Sequence, residues 1–377
     1  MSFLSAIFLI LALLGTLYYI VSTLALVSHF RAPRLPAPGP RPLSVLKPVC
    51  GLEVGAFESF QSYLRQDYPC YEVLFGVLDE ADPALATVRD AIRGSENAAV
   101  RVGSEIDGAN NKVRILDKLA RHATGEILVI TDADTRVTPD FLSRISAPFA
   151  DESVGAVTCM YRGIEAKSAA DALEGLHMTC VFAPGVAAAK RVGGIDFGLG
   201  AAIAIRKHIL EATGGFEAIA NYLADDFQIG RRAAKAGYKV ELSDYVMDIV
   251  LTGQGIREVL ARELRWARTT KVSRPLGHFG LVVTYGSAYA LALAIASGFS
   301  ALGWSVLVGV AALRGATAFV GARVCLQDRE CARRVWLLPV RDLLSFGVWA
   351  AGYFSRTVAW RGRRLKLLEG GRMAPVE

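Results

Sequence analysis

The chain has 377 residues, of which 53% are hydrophobic, and its mean hydropathy is +0.34. This length exceeds what one compact core of ordinary size requires, and the apolar fraction exceeds the roughly 45–50% of soluble domains, so we expect two regions, one of them in lipid. The formal charge of +6 comes without a zinc finger, an RNA-binding aromatic motif or a basic stripe, which argues against nucleic acid and favours an anionic membrane surface as the partner.

The first element is an uncharged apolar run at residues 3–27. At about 1.5 Å per residue this run can cross a hydrocarbon layer of about 30 Å. A cleaved signal peptide is the competing interpretation, but no basic segment precedes the run and no clear cleavage site follows it. We therefore predict a transmembrane anchor at residues 1–30. Basic residues and a proline-rich linker at 31–42 follow, which places the next part of the chain in the cytosol.

Residues 43–274 alternate strand-like apolar runs with helical patterns, which is typical of an α/β domain with a mainly parallel sheet. Strands are predicted at 42–48, 71–79, 99–103, 126–132 and 155–161, and helices at 57–65, 83–93, 112–122 and 139–150. In open parallel sheets, ligands bind at the carboxyl ends of the strands. Three predicted strands end in groups suited to a nucleotide, namely Lys47 before Pro48, Asp79, and the pair Asp132 and Asp134.

Asp132 and Asp134 flank one alanine at the end of a predicted strand. Their alternation along an extended chain puts both carboxylates on one side, where hard oxygen ligands suit Mg²⁺ or Mn²⁺ with a diphosphate completing the shell. The alternative is that the two aspartates only end a strand and start a turn. The tripeptide alone does not separate these interpretations.

Two further acidic sites have the same double interpretation. Asp79 could bind the uracil or ribose of a nucleotide, or else Asp79 or Asp82 could cap the helix that follows. Asp225 and Asp226 begin a predicted amphipathic helix. A carboxylate at such a helix start could have its pKa raised enough to act as a general base, and the alternative is an acidic helix start stabilised by the helix dipole.

The stretch "RELRW" places Arg262, Arg265 and Trp266 at positions i, i+3 and i+4, on one face of a predicted helix. Two guanidinium groups can bind a departing diphosphate, and an indole can form the floor of a sugar or acceptor pocket. A belt of arginine and tryptophan at the lipid headgroups is the alternative. Upstream, the glycine-rich "GGIDFGLGA" at 193–201 is interpreted as an active-site loop or turn that requires small residues.

Residues 275–377 form the predicted C-terminal membrane region and basic tail. The apolar stretch 279–326 is long enough for two spans. A third apolar stretch, 335–355, carries Arg341 and Asp342 near its middle, and charges are costly in lipid, so an interfacial or re-entrant helix and a full span both remain open.

In chain order, these four sites resemble the pattern D, D, D, (Q/R)xxRW of the ceramide glucosyltransferase family. The similarity runs through "LDEADPA", "TDADTRVTPDFL", "LADDF" and "RELRW", and extends to "LSVLKPVCGLE" and "VAWRGRRLKL" near the two ends. It covers nearly the whole chain. The ordered set is far more specific than any one of its members.

This resemblance implies a GT-A fold, with a Rossmann-like, mainly parallel sheet, in a cytosolic domain between one N-terminal and two or more C-terminal membrane helices. It also implies inverting transfer of a sugar, glucose first, from a UDP-sugar to a lipid hydroxyl, ceramide first. Asp226 would be the base, Asp132 and Asp134 would hold Mg²⁺ or Mn²⁺, Lys47, Pro48, Asp79 and Asp132 would bind the nucleotide, and Arg262, Arg265 and Trp266 would serve the leaving group and acceptor. The tail residues Arg361, Arg363 and Arg364 would contact either the pyrophosphate or lipid headgroups.

The loop "GANNKVRILDKLA" and the stretch "GLHMTCVFAPG" depart from the family pattern, which affects the acceptor assignment more than the chemistry. A hopanoid acceptor with glucuronate or N-acetylglucosamine is therefore the alternative. A processive polysaccharide synthase would need more helices than this chain offers, and a non-catalytic nucleotide-sugar sensor would lack an acidic site that is present here. The sequence does not predict an oligomeric state.

Overall fold

The computed structural model describes residues 2–33, 39–360 and 363–375. The chain divides into two compact units. The sheet unit comprises Pro33–Glu165 and Gly194–Thr252, and the helical unit comprises Met1–Ala32, Ala166–Gly193 and Gly253–Glu377. Part of the predicted linker, residues 34–38, and Arg361 of the basic tail lie outside the described residues.

The elements are numbered in chain order. The strands are β1 (Leu43–Pro48), β2 (Tyr71–Val77), β3 (Ala98–Val102), β4 (Ile127–Thr131), β5 (Thr135–Arg136), β6 (Val154–Ile164), β7 (Ala202–Arg206), β8 (Lys239–Val250), β9 (Thr357–Trp360), β10 (Arg363–Leu367) and β11 (Met373–Pro375). The α-helices are α1 (Phe3–Arg31), α2 (Ala56–Leu64), α3 (Ala84–Ala91), α4 (Asn111–His122), α5 (Phe141–Ser146), α6 (Ala169–Leu176), α7 (Ala183–Gly193), α8 (Lys207–Ala212), α9 (Asp225–Lys235), α10 (Ile256–Ser273), α11 (Pro275–Gly280), α12 (Gly286–Ala296), α13 (Ala301–Val320), α14 (Arg329–Arg333) and α15 (Leu338–Ala351).

The sheet unit is built on eight strands in the order β3-β2-β1-β4-β7-β6-β8-β5. Strands β1 to β4 run parallel to one another, and β6 runs parallel to β8. Strand β7 runs antiparallel between β4 and β6, and β5 runs antiparallel to β8. The predicted α/β fold with a mainly parallel sheet is therefore confirmed, whereas the sequence patterns missed β5, β7 and β8.

Strand β4, with the sequence ILVIT, lies at the centre of this sheet and is buried along its whole length. Such a continuous run of β-branched and aliphatic residues is what a strand covered on both faces requires. Its register is fixed on both sides, since Ile130 lies opposite Leu46 of β1 and Ile203 of β7. The residues that follow β4 therefore leave the sheet at a well-defined place.

The helical unit contains the segments that are long and apolar enough to cross a membrane. Among the described residues these are Phe3–Arg31, Ala169–Gly193 and Ala301–Cys325, and a fourth if the pair Pro275–Thr284 and Gly286–Ala296, bent by 53°, forms one span. The predicted apolar segments at both ends are thus helical. The segment Ala169–Gly193, which contains a π-helical turn at His177–Phe182, was not predicted as a span.

Helices α1 and α12 cross at a pair of glycines. A β-carbon built on Gly15 would lie 2.4 Å from the Cα atom of Gly286, closer than any side chain permits. Small residues at a crossing let two apolar helices approach closely and gain van der Waals contact, which is a common way for membrane helices to associate. The position of α1 in the helical unit therefore depends on both glycines.

The charges of residues 335–355 are paired inside the helical unit. Arg341 donates two hydrogen bonds to Glu263, of 2.7 and 2.8 Å, and Asp342 accepts two from Arg314, of 2.9 and 3.0 Å. All four residues are buried. Helix α15 has 14 residues and is about 21 Å long, which is short of the roughly 30 Å of a hydrocarbon core.

Candidate active site

Asp132 and Asp134 lie in a tight turn between β4 and β5. The hydroxyl of Thr135 donates to the carbonyl of Asp132 at 2.6 Å, and the amide of Val250 donates to the carbonyl of Asp134 at 2.9 Å. The amide of Asp132 donates to the carbonyl of Ala201 at 3.3 Å. Hydrogen bonds from three directions therefore hold the turn at the carboxyl end of β4.

Lys47 lies directly behind this turn and is fully buried. Its Nζ donates to the carbonyl of Asp132 at 2.6 Å and to the hydroxyl of Thr135 at 3.2 Å, and it lies 4.0 Å from the ring centroid of Tyr63. Burial lowers the pKa of Lys47 to about 7, against the opposing attraction of Asp134 and Asp132. The ammonium thus supports the turn, and the nucleotide contact predicted for Lys47 stays a prediction.

The two carboxylates of the turn repel each other. Burial raises the pKa of Asp134 to about 7, and the charges of Asp132 and Glu53 raise it further while Lys47 opposes them. The described part of the chain groups no three His, Cys, Asp or Glu side chains around a common point. Two hard oxygen donors whose repulsion a cation would relieve nevertheless fit Mg²⁺ or Mn²⁺, provided that substrate and water supply the remaining ligands.

Lys112 bridges two of the acidic sites and was not predicted as a site residue. Its Nζ lies 2.8 Å from Oδ1 of Asp132 and 2.9 Å from Oδ2 of Asp225. Burial opposes the charge of this ammonium, but attraction by Asp132 and Asp225 outweighs it and raises the pKa of Lys112. The stretch "GANNK" could have indicated this residue, because a lysine in the first turn of an amphipathic helix is unfavourable unless a partner holds it.

Asn110 explains why Lys112 reaches both carboxylates. Its side chain caps α4 by accepting from the amide of Val113 at 3.3 Å, and it donates to the carbonyl of Tyr222 at 2.8 Å. Its own amide donates to the carbonyl of Ala220 at 2.9 Å. The start of α4 is thereby tied to the segment that leads into α9, where Asp225 lies.

Asp225 and Asp226 are adjacent in sequence but have different surroundings. Asp225 is buried and paired with Lys112. A β-carbon built on Gly200 would lie 3.4 Å from Oδ2 of Asp226 and 3.9 Å from Oδ2 of Asp132, so these two carboxylates face the same small space. Burial raises the pKa of Asp226 to about 7, with repulsion by Asp225 adding to the effect and Lys112 opposing it.

The glycine-rich loop packs its backbone against α9. A β-carbon on Gly230 would lie 2.4 Å from the amide nitrogen of Gly198 and from the carbonyl carbon of Phe197. A β-carbon on Gly198 would lie 2.6 Å from the carbonyl oxygen of Asp226. The small residues therefore bring the loop within contact distance of the start of α9, beside Asp226.

Asp79 and Pro48 lie at or just beyond the ends of neighbouring strands. Pro48 is the last residue of β1, in register with Gly76 of β2. Asp79 is exposed, and its Oδ1 accepts from the amide of Ala81 at 2.9 Å. Asp82, instead, binds the first amide of α3, that of Ala84, at 2.9 Å. Asp79 is thus not engaged by that helix, and its nucleotide contact stays a prediction.

Arg262, Arg265 and Trp266 lie on α10 in the helical unit, and all three are half-buried. Arg262 forms a two-pronged ion pair with Glu174, and its Nη1 donates to Oε1 of Gln254 at 2.8 Å. The predicted helical face is confirmed as part of an α-helix. Four aspartates of the candidate site belong instead to the sheet unit, together with Lys47 and Lys112. These aspartates are Asp132, Asp134, Asp225 and Asp226.

The chain is similar to known proteins in both sequence and fold. The model of glycosyl transferase family 21 matches residues 7–373. Ceramide glucosyltransferase 1 of Caenorhabditis elegans is 24% identical over 346 residues, which are 88% of this chain and 72% of that protein. Ceramide glucosyltransferase 3 of the same organism is 23% identical over 353 residues, covering 88% and 74%.

Among solved structures, the mannosyltransferase PcManGT from Pyrobaculum calidifontis, in complex with GDP-Man and Mn²⁺, aligns with a TM-score of 0.57 and 22% identity. The alignment covers 93% of this chain and 99% of that chain. Likeness at this level concerns the fold, and it confirms the predicted GT-A-like architecture.

Proposed function

The chain belongs to glycosyl transferase family 21 and is a glycosyltransferase, and on that premise we propose that it transfers glucose from UDP-glucose to the hydroxyl of ceramide. The relatives named above are ceramide glucosyltransferases, which supports this choice of acceptor and sugar. The reacting region is proposed to be residues 43–274, including the R-x-x-R-W helix. The observation that carries the proposal is that the carboxylates of Asp132 and Asp226 both lie within 4 Å of a β-carbon built on Gly200, and so face one small space.

Asp226 is the proposed general base. In the transfer step the acceptor oxygen forms a bond to the anomeric carbon, the bond from that carbon to UDP breaks, and its electron pair leaves with UDP. The acceptor proton passes to a carboxylate oxygen of Asp226. A pKa of about 7 suits this role, because a base works best when its pKa lies near the operating pH.

Asp132 and Asp134 are the proposed holders of the divalent cation. A bound Mg²⁺ or Mn²⁺ would neutralise charge on the diphosphate of the leaving UDP. Lys47 stabilises the turn from behind through the carbonyl of Asp132. Lys112 compensates charge on both Asp225 and Asp132, whereas Asp226 faces Asp132 beside Gly200.

The remaining assignments follow the motif. Asp79, Lys47 and Pro48 would bind the nucleotide of the donor, with Asp79 at the uracil or the ribose. The motif assigns Arg262 and Arg265 to the charge on the leaving diphosphate. Since Arg262 is paired with Glu174, Arg265 is the arginine that we propose for this contact, and Trp266 would line the sugar or acceptor pocket.

A lipid acceptor is supported by the helices of the helical unit, which are long and apolar enough to cross a membrane. We propose an integral membrane enzyme with residues 43–274 on the cytosolic side, since the basic residues after the N-terminal helix favour that side. A hopanoid acceptor with glucuronate or N-acetylglucosamine remains the alternative, and a processive polysaccharide synthase or a nucleotide-sugar sensor is less favoured.

The test is a substrate panel with the full chain purified in detergent. UDP-glucose, UDP-glucuronate, UDP-N-acetylglucosamine and GDP-mannose are each incubated with ceramide or a hopanoid, with Mg²⁺, with Mn²⁺ or with a chelator, and products are identified by mass spectrometry. We expect glucosylceramide in the presence of metal and none with chelator. Product from a different pair of donor and acceptor would reassign the substrates. An unchanged rate with chelator would reject the proposed role of the metal ion. The absence of glycolipid from every pair would reject the proposed function.

A further inference from the structure

Helix α10 is held in the helical unit by two ion pairs at consecutive residues. Arg262 donates from Nε to Oε1 of Glu174 at 2.8 Å and from Nη2 to the second oxygen of the same carboxylate. Glu263 accepts two hydrogen bonds from Arg341, of 2.7 and 2.8 Å. The two pairs have opposite polarity, since α10 supplies the cation in the first and the anion in the second.

Three of the four residues are almost completely removed from solvent. Glu174 is 1% exposed, Glu263 3% and Arg341 0%. Removing one partner of such a pair leaves the other charge buried without compensation, which costs far more than the pair itself contributes. Each pair therefore strongly prefers to stay closed.

Consecutive residues of an α-helix project about 100° apart. Glu174 and Arg341 consequently hold α10 from two different sides. A rotation of α10 by one residue would bring Glu263 toward Glu174, or Arg262 toward Arg341, and like charges would then meet in a buried place. Only one rotation of the helix satisfies both pairs.

Glu174 is itself fixed by the start of α6. The buried Asp171 accepts at Oδ2 from the amides of Lys167, Ser168 and Gly253, at 2.9, 3.2 and 3.1 Å. The hydroxyl of Ser168 also donates to the carbonyl of Gln254 at 3.1 Å. The first turn of α6 is thus tied to the segment that leads into α10, and Glu174 follows it by one helical turn.

We infer that Glu174 and Arg341 are positioning residues that set the rotation of α10 about its axis, and with it the direction of Arg265 and Trp266. Arg265 and Trp266 lie three and four residues after Arg262, so they share its face and turn with it. The inference rests on the proposed function in assigning those two residues a part in the transfer.

The test uses the full chain in detergent with the single variants Glu174→Gln and Glu263→Gln and with the charge-swapped double variant E263R/R341E. Arg257→Gln is the matched control, because it removes a charge from an exposed position of the same helix. Hydrogen exchange of peptides covering residues 256–273 reports on the helix without requiring turnover. The kcat for glycolipid and the Kd of the donor, measured separately by calorimetry, report on positioning.

We expect faster exchange at 256–273 and a kcat lowered at least about tenfold in both single variants, because a misplacement of about 1 Å can cost that much or more. Donor Kd should change less than about threefold, which corresponds to less than about 0.7 kcal/mol. The double variant E263R/R341E should restore both the hydrogen exchange and the kcat, and Arg257→Gln should alter neither of them.

Wild-type exchange and kcat in both single variants would overturn the inference while leaving the proposed function intact. Faster hydrogen exchange throughout the chain, with neither exchange nor kcat restored in E263R/R341E, would also overturn the inference, since the two ion pairs would then serve stability alone. If the wild-type chain forms no glycolipid at all, the proposed function fails. Hydrogen exchange at 256–273 then still decides whether the two ion pairs set the rotation of α10.

Discussion

At the scale of single residues, identical side chains acquire different properties from their surroundings. Asp225 and Asp226 are neighbours in the sequence, yet Asp225 is paired with Lys112 while Asp226 faces the space beside Gly200. Local sequence identifies both as an acidic helix start and cannot distinguish them. The difference arises from Lys112, which lies more than a hundred positions earlier in the chain.

The first prediction separates these two aspartates. Asp226→Asn should lower kcat by about 10²–10⁴-fold, the usual contribution of a general base, because the amide cannot accept the acceptor's proton. Calorimetry should find donor affinity nearly unchanged. Asp225→Asn, which leaves Asp226 in place, should lower kcat much less. A larger loss of kcat in Asp225→Asn than in Asp226→Asn would assign the role of general base to Asp225 instead.

The second prediction concerns pH. The pKa of Asp226 is raised to about 7, so the carboxylate is protonated and inactive as a base below that pH. The kcat should therefore rise about tenfold per pH unit up to about pH 7 and level off above it. A series of kcat measurements at different pH values, with saturating donor and lipid, tests this rise. A kcat that is flat between pH 5 and 8 would contradict the role of Asp226.

At the scale of elements, hydrophobic patterns predicted strands β1 to β4 and β6 and helices α2 to α5, but they missed β5, β7 and β8 and did not define the junctions between elements. Strand β4 and helix α4 are apparent from composition and spacing. Strand β7, which pairs with β4 and β6 in the antiparallel sense, directly follows a glycine-rich loop, and the sequence pattern did not separate the strand from that loop. The fit of that loop against α9 depends on distances between backbones that periodicity does not contain.

The third prediction tests this fit. Gly230→Ala should destabilise the fold by about 1–3 kcal/mol, because the added carbon meets backbone atoms of Gly198 and Phe197 that cannot turn aside. Thermal unfolding in detergent should show a Tm lower by several degrees, together with reduced transfer. Gly193→Ala is the control, since a β-carbon there meets no atom within 4 Å. Equal Tm values for the two variants would show that the loop and α9 separate easily.

At the scale of the whole molecule, the chain passes several times between its two units. Residues 166–193 join the helical unit although they lie between two parts of the sheet unit. The sequence patterns predicted membrane segments only at the two ends, because Ala169–Gly193 is less hydrophobic than the N-terminal helix and more of it is buried. Hydropathy detects a helix in contact with lipid better than one covered by protein.

The fourth prediction follows from these helices. If the apolar segments cross the bilayer, the chain should stay in the membrane pellet after alkaline carbonate extraction and enter solution only with detergent. Removal of residues 2–31 should leave part of the chain in the pellet, since the remaining apolar helices still anchor it. Release of the intact chain by carbonate would show that it binds the membrane only at its surface.

The sequence by itself determined the first strands and helices of the sheet unit, the apolar ends, and the acidic and R-x-x-R-W motifs whose order resembles that of a glycosyltransferase family. These features are local, and they follow from side-chain periodicity, turn chemistry and charge. Only the tertiary structure decided that Lys112 joins two acidic sites, that Asp226 rather than Asp225 faces Asp132, and that Arg341 is paired with Glu263. Such contacts join residues far apart in the chain, and they are selected by burial and charge compensation only after the chain has folded.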